Sequence, residues 1–283
     1  MAKLSPYDMR DPDFIEDTRP PPLLFHYTDA AGFFQIVESG VRLHATHYRF
    51  LNDIGELRFG REVVHDILTE LRELVGADVR DAAEARIDAM IGEGSYVACL
   101  SEQASVLSQW RAYAKNGAGY CLGLRAPSRL MGGSNYDSFY FNHLVRCLYG
   151  AAEVRDHIDS RFRRKLSRAE SAKGTDEYED RLASQLVDVA WRAIHVAKHE
   201  HFREEYEWRF IVGGSAVAPQ YRISPRGLVP FLATDALTLE EVWIGPAVCP
   251  SPDVAKETAI GFLGSRKIEA AVKVWASPFV ATL

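Results

Sequence analysis

The sequence predicts an α+β domain, a mixed, mostly antiparallel sheet core with flanking helices and a charged helical insertion over 151–204. Three observations carry this. Short apolar runs of strand length recur from Leu23 to Ala276. Helix-period segments stand between them irregularly, without the βαβ alternation of a parallel sheet. Residues 151–204 read as a long, highly charged helical stretch interrupted near Lys173-Gly174-Thr175, and are taken as an insertion in a single domain spanning 23–283.

Residues 1–22 are rich in Pro and Asp, end in Pro20-Pro21-Pro22, and are expected to form a flexible arm. Leu23–Tyr27 is a strand. Asp29 caps a helix to about Val37, with Gly40 at its C′ position. A strand over Val41–Ala45 follows. Asp53 and Glu56 stand at the capping-box spacing, opening a helix to about Leu74 and then an Ala-rich one to Ile91. Tyr96–Leu100 is a strand. Ser101–Lys115 has helical periodicity, with Leu107, Trp110 and Ala114 on one side and Asn116-Gly117 as its stop. Strands at Tyr120–Leu124 and Phe141–Tyr149 precede the charged stretch. Strands near Trp208–Val212, Gly227–Leu232 and Glu241–Ile244, a helix over Ser251–Phe262 and a strand over Ala271–Ala276 complete the chain.

The 283 residues are 47% hydrophobic and 25% charged, an ordinary globular composition with material for a real core. The formal charge of −6 lacks the basic footprint of a duplex nucleic-acid binder, and Arg161–Lys165 is the only dense basic run. Cys99, Cys121, Cys147 and Cys249 form no CxxC pair and read as reduced thiols. With no signal-like start and no apolar run of membrane-spanning length, a soluble cytoplasmic protein is expected.

The densest chemistry lies in Lys198–Arg209, KHEHFREEYEWR. Glu205, Glu207 and Arg209 alternate, so an extended backbone would place them on one face of a strand entering the sheet. That pattern fits either catalytic carboxylates at a cleft or an ion-paired strand end. Lys198, Phe202 and Glu205 would share a face if the preceding helix reached them, letting Lys198 pair with both carboxylates. His26 closes the first strand and could hydrogen-bond a ligand hydroxyl. Asn52 offers a donor and an acceptor. Tyr113 could stack on a flat ring such as nicotinamide, whereas Trp110 reads first as core. His195 and His199 have i,i+4 spacing without an HExxH pattern, and no metal site is expected from them. No P-loop, GxGxxG or GxSxG motif is present.

Together these segments resemble a bacterial family known only as domain of unknown function 2971. The likeness rests on Phe25-His26-Tyr27-Thr28, Leu51-Asn52-Asp53 with Glu56, and Cys99-Leu100-Ser101-Glu102. It continues through Trp110, Tyr113-Ala114, Gly119 and Gly123-Leu124, and closes on Lys198 and Glu205-Tyr206-Glu207-Trp208-Arg209. The chain departs from it at Phe202, where Trp is expected, and in its long 151–200 region. The family supplies no activity. The order of an early strand His, a mid-chain Tyr and a late strand Glu is also similar to the His-Tyr-Glu arrangement of ADP-ribosyltransferases, and Glu205-x-Glu207 looks like the Glu-x-Glu of their arginine-modifying branch.

That second likeness implies an NAD-dependent ADP-ribosyltransferase or NAD-cleaving enzyme in a defence or toxin setting. Glu207, Glu205, Tyr113 and His26 would be catalytic, with Glu207 on a ribose hydroxyl and Glu205 positioning the acceptor. His26, Tyr27, Asn52, Ser101, Trp110, Tyr113 and Arg209 would bind NAD, and a macromolecular acceptor is a second partner. The alternative is a non-catalytic nucleotide- or protein-binding effector module of a stress or phage-defence system. A third reading is a magnesium-dependent hydrolase using Asp53, Glu56, Glu205 and Glu207.

Overall fold

In the computed structural model, which describes residues 20–51, 55–126, 142–169, 175, 177–213, 218–224 and 227–276, the chain is organised about one strand. Residues Tyr96–Leu100 read YVACL, an apolar run without alternation, which suits a strand covered on both faces. The elements are β1 (Leu23–Thr28), α1 (Ala30–Glu38), β2 (His44–His47), α2 (Gly55–Val75), α3 (Ala77–Glu93), β3 (Ser95–Ser101), α4 (Leu107–Ala112), β4 (Tyr120–Arg125), β5 (Asn142–Arg146), β6 (Leu148–Tyr149), α5 (Gly150–Ala169), α6 (Tyr178–Val196), β7 (Ala197–Lys198), β8 (Glu207–Gly213), β9 (Gln220–Ser224), β10 (Gly227–Ala233), β11 (Leu239–Ile244), α7 (Pro252–Ser265) and β12 (Ala271–Val274). Short 3₁₀ turns lie at Tyr48–Phe50, Lys115–Gly117 and Glu200–Glu205.

The expected α+β architecture with a mixed, mostly antiparallel sheet holds. The main sheet runs β12-β11-β4-β1-β3-β2-β10-β9, with β8 and then β5 added beside β3. Among the described residues, only β11 and β12 pair in parallel within it. One edge of β3 pairs with β8 from Ser95↔Gly213 to Ser101↔Glu207. The other edge is divided. There β1 meets β3 at Phe25↔Ser101, while β2 meets it at Thr46↔Val97 and His47↔Tyr96. Ala98, Cys99 and Leu100 pair with neither strand, so the sheet forks. A backbone carbonyl left open by the fork needs another donor, and the His26 ring supplies it, with Nδ1 3.0 Å from the Cys99 oxygen.

One face of the sheet packs Leu100, Trp208, Phe210 and Val212 against α1 and α7 in the largest core. The helices α2, α3, α5 and α6 form their own apolar layer around residues such as Leu68, Ala83, Phe162 and Leu186. Trp191 and Val196 of that layer meet Val145 and Ile211 of the sheet. The helical layer is therefore built from two stretches, 55–93 and 150–196, and the expected insertion supplies only half of it. Gly60 is the point of closest approach. A Cβ there would lie 2.3 Å from the Ile194 carbonyl oxygen, so α2 crosses α6 at backbone contact. Gly60→Val is expected to cost about 1–3 kcal/mol through overpacking. A urea midpoint at or above that of the native protein would contradict so close a crossing.

Several boundaries differ from the sequence reading. The second strand starts at His44 rather than Val41, because Gly40 (φ +79°) and Val41 (φ +57°) turn left-handed after α1. Within 101–115 only Leu107–Ala112 is α-helical. The chain ahead of it is held irregular, with the Tyr27 hydroxyl donating to the Gln103 carbonyl and accepting from the Val106 amide. The charged helix stops at Val196, so Lys198 sits in β7 beside β6 and not on a helix face. Tyr206 is left-handed (φ +45°), which places Glu205 in a 3₁₀ turn and Glu207 at the start of β8. Glu205 thus does not share a strand face with Glu207 and Arg209. The edge strand β9 has no counterpart in the sequence reading. The flexible-arm expectation for 1–19, Asn52 and Asp53 lie outside the described residues.

Candidate functional site

A cavity of about 460 Å³ opens at the fork. Its lining includes Val97, Ala98 and Cys99, the part of β3 where the sheet forks. Gln35 of α1, His26 of β1, His44 and Thr46 of β2, Glu207 and Arg209 of β8, and Arg222 of β9 also line it, with Tyr113 and Lys198.

At one end lies a buried ionic network. The Lys198 ammonium donates to a Glu205 carboxylate oxygen and, at 2.5 Å, to Glu207 Oε2. Arg209 Nε donates to Glu207 Oε1 at 2.8 Å, and its Nη1 to the His195 carbonyl at 2.9 Å. Lys198, Glu205, Glu207 and Arg209 are 2%, 8%, 5% and 4% exposed. Two cations therefore face two carboxylates in a desolvated space. Burial pushes the Glu207 carboxyl up, but Arg209 and Lys198 outweigh it and hold the pKa down at about 2. The Tyr149 hydroxyl accepts from the Glu207 amide at 2.7 Å and anchors the start of β8. Beside Glu207, burial and the carboxylate push the Cys99 thiol well above its ordinary range.

Tyr113 stands at the cavity as a residue 39% exposed. Its hydroxyl is pushed up first by burial, then by the charges of Cys99, Glu207 and Glu205. Burial lowers the His26 pKa, with Arg222 adding to the effect. With Nδ1 spent as donor to the Cys99 carbonyl, the neutral ring keeps Nε2 as an acceptor. His44 is lowered to about 4 by burial, Arg222 and His26.

The structure thus gathers His26, Tyr113, Glu207 and Arg209 on one cavity. Tyr27 lines it too, although its hydroxyl is committed to Gln103 and Val106. Glu205, expected to position an acceptor, does not line the cavity and instead holds Lys198. Ser101 is 2% exposed, donating to the Glu205 carbonyl at 2.7 Å and supporting the turn. Trp110 lies in a separate core, stacked on Trp275 at 4.7 Å, with Nε1 bonded to the Ala104 carbonyl. Its indole matches the core alternative. Arg222, His44, Thr46 and Cys99 were not singled out for the site by sequence. Nothing in the chain near Arg222 marks a site, and only the fold brings β9 to the fork.

His195 is fully enclosed, between the Trp191 carbonyl and the Ser95 hydroxyl, both at 2.8 Å. Burial lowers its pKa to about 4. A base depressed in the fold contributes stability that is present above its unfolded pKa of about 6.5 and is lost as pH falls toward 4. Urea unfolding should therefore show stability declining between pH 7 and 5, with a shallower decline in His195→Asn. Equal slopes would show that His195 is not the proton acceptor on unfolding. Among the described residues, no group of three or more His, Cys, Asp and Glu could hold a metal ion. No helix among them is long and apolar enough to cross a membrane.

Residues 109–210 match the model of a protein family of unknown function, DUF2971. The likeness to DUF2971 read from sequence holds over that segment. It contains Tyr113, Lys198, Glu205, Glu207 and Arg209, whereas His26, Cys99 and Arg222 join the cavity from outside the matched part. No curated protein and no solved structure matches the chain.

Proposed function

We propose that this protein cleaves NAD at the nicotinamide–ribose bond, as an ADP-ribosyltransferase or an NAD glycohydrolase. The observation supporting this is the convergence of His26, Tyr113 and Glu207, from three distant parts of the chain, on one cavity at the fork of the sheet. Its 460 Å³ falls in the range of small-molecule sites, roughly 300–1,000 Å³.

In this reading Tyr113 stacks its partly open ring on nicotinamide. His26 Nε2 accepts from a ribose hydroxyl. The bond between the nicotinamide nitrogen and C1′ breaks, its electron pair passes to the pyridinium ring, and positive charge develops on the ribose. Glu207 faces that charge. Its low pKa keeps it ionised at neutral pH, so its negative charge is preorganised rather than recruited during the step. Water or a macromolecular nucleophile then attacks C1′ and releases its proton. Arg209 and Lys198 act on the carboxylate as positioning residues, and Glu205 acts through Lys198.

The same two cations favour a second reading. Because they neutralise Glu207, the cavity also suits a module that binds a nucleotide or a protein segment without turnover, an effector in a stress or phage-defence system. Nicotinamide release from NAD, with and without bacterial lysate, separates the two. Release by the protein alone indicates a glycohydrolase, release that requires lysate indicates a transferase, and no release in either condition leaves the binding module.

A further inference from the structure

Away from the Glu207 network the cavity has a different electrostatic character: Arg222 bonds to Thr46, which pairs with Val97, four residues along β3 from the Ser101↔Glu207 pair. Lys198 and Arg209 each face a carboxylate. Arg222 does not. Among the described residues its guanidinium has no ion-pair partner, and its one hydrogen bond is from Nη2 to the Thr46 hydroxyl at 2.9 Å. Its Nε is buried and bonds to nothing among them. A buried donor without a partner is uncommon and costly, about 1–3 kcal/mol, and more when the group is charged. The other negative group lining the cavity, Asp29, is occupied as the cap of α1, with Oδ1 accepting from the Gly32 amide at 2.8 Å. His44 and His26 stand near Arg222 and are held neutral by burial, so they offer hydrogen bonds without adding charge. Arg222 itself is depressed by burial, which an anion at this position would relieve.

We infer that Arg222, with the Thr46 hydroxyl and His44 beside it, is the phosphate-recognising group of the cavity, and that the ligand is a phosphate-bearing nucleotide rather than a free nucleoside. A planar guanidinium with unspent donors matches phosphate oxygens. At the Glu207 end Lys198 and Arg209 already hold a carboxylate, whereas Arg222 has donors unspent, so the two ends favour one orientation: phosphates toward β9, sugar and base toward β8. This deepens the reading of the cavity as a nucleotide site and rests on it, but does not require turnover.

Equilibrium binding of ADP-ribose and of adenosine, measured by calorimetry, tests it. The native protein should bind ADP-ribose at least about tenfold more tightly than adenosine, since a tenfold change is about 1.4 kcal/mol, less than one good charge-assisted hydrogen bond contributes. The preference should shrink as salt rises. Arg222→Gln should remove it while leaving adenosine binding unchanged, and Arg222→Lys should restore part of it. ADP-ribose binding that is absent from the native protein, equal to that of adenosine, or unchanged in Arg222→Gln would overturn the inference. The native comparison stands even if a variant folds poorly. Arg222-dependent binding without nicotinamide release would remove the cleavage reading and keep this one. Nicotinamide release indifferent to Arg222 would do the reverse.

Discussion

Lys198→Met is expected to lower the unfolding free energy by about 3–5 kcal/mol at pH 7, the scale for removing one partner of a buried ion pair. The ammonium serves two carboxylates at once, Glu205 and Glu207. Its removal takes a cation from both carboxylates in a desolvated space, while Arg209 still faces Glu207. The pH dependence gives the sharper signature. In the native protein the Glu207 pKa is depressed to about 2, so its contribution is present above the unfolded value near 4.5 and is lost as pH falls toward 2. In Lys198→Met, two like charges in close quarters force a proton onto one carboxyl, raising its folded pKa above the unfolded one. The variant's deficit should therefore narrow as pH falls from 7 to 5. Urea unfolding at both values measures it. A deficit under about 1 kcal/mol at pH 7 would mean that water screens the network after all.

Glu207→Gln carries the largest expected effect on activity. If Glu207 faces the developing positive charge, replacing it by a neutral isostere should reduce nicotinamide release by about 10²–10³-fold, comparable with removal of other preorganised electrostatic groups. The amide keeps an oxygen for Arg209, and Lys198 keeps Glu205, so the network is weakened rather than dismantled. Circular dichroism and a melting curve check that the variant is folded. The loss should fall on kcat with little change in KM, because the interaction is made with charge that exists only in the transition state. Release that persists in a folded Glu207→Gln variant would end the assignment of Glu207. A uniform rise in KM with kcat intact would recast it as a binding residue.

The legible parts of the fold were those in which local and tertiary preferences agree. Asp29 and Ser251 were read as helix starts, and both accept from backbone amides at those ends. The YVACL run was read as a strand and became the axis of the sheet. Where the two levels disagree, tertiary contacts win. Ser101–Val106 has a helical pattern but is held open by the Tyr27 hydroxyl and by the Ser101 bond to the Glu205 carbonyl. The alternation of Glu205, Glu207 and Arg209 suggested one strand face, but left-handed Tyr206 breaks the strand before Glu207. The pairing of Lys198 with both carboxylates was nevertheless anticipated, because it depends on closeness in sequence rather than on the element that carries it.

The sequence by itself determined the α+β class, the main apolar strands and the cluster around Lys198–Arg209, since each is written in periodicity or composition within a short window. It also left Trp110 between core packing and NAD contact, and indicated His26, Tyr113 and Glu207 as residues of interest. Only the tertiary structure decided that these last three meet, that Glu205, Ser101 and Trp110 stand outside the cavity, and that Arg222 enters it from an edge strand. The physical reason lies in the division of one edge of β3 between β1 and β2. That division arises from long-range pairing among strands far apart in the chain, and no local pattern in the residues around Ala98–Leu100 encodes which neighbours they will lack.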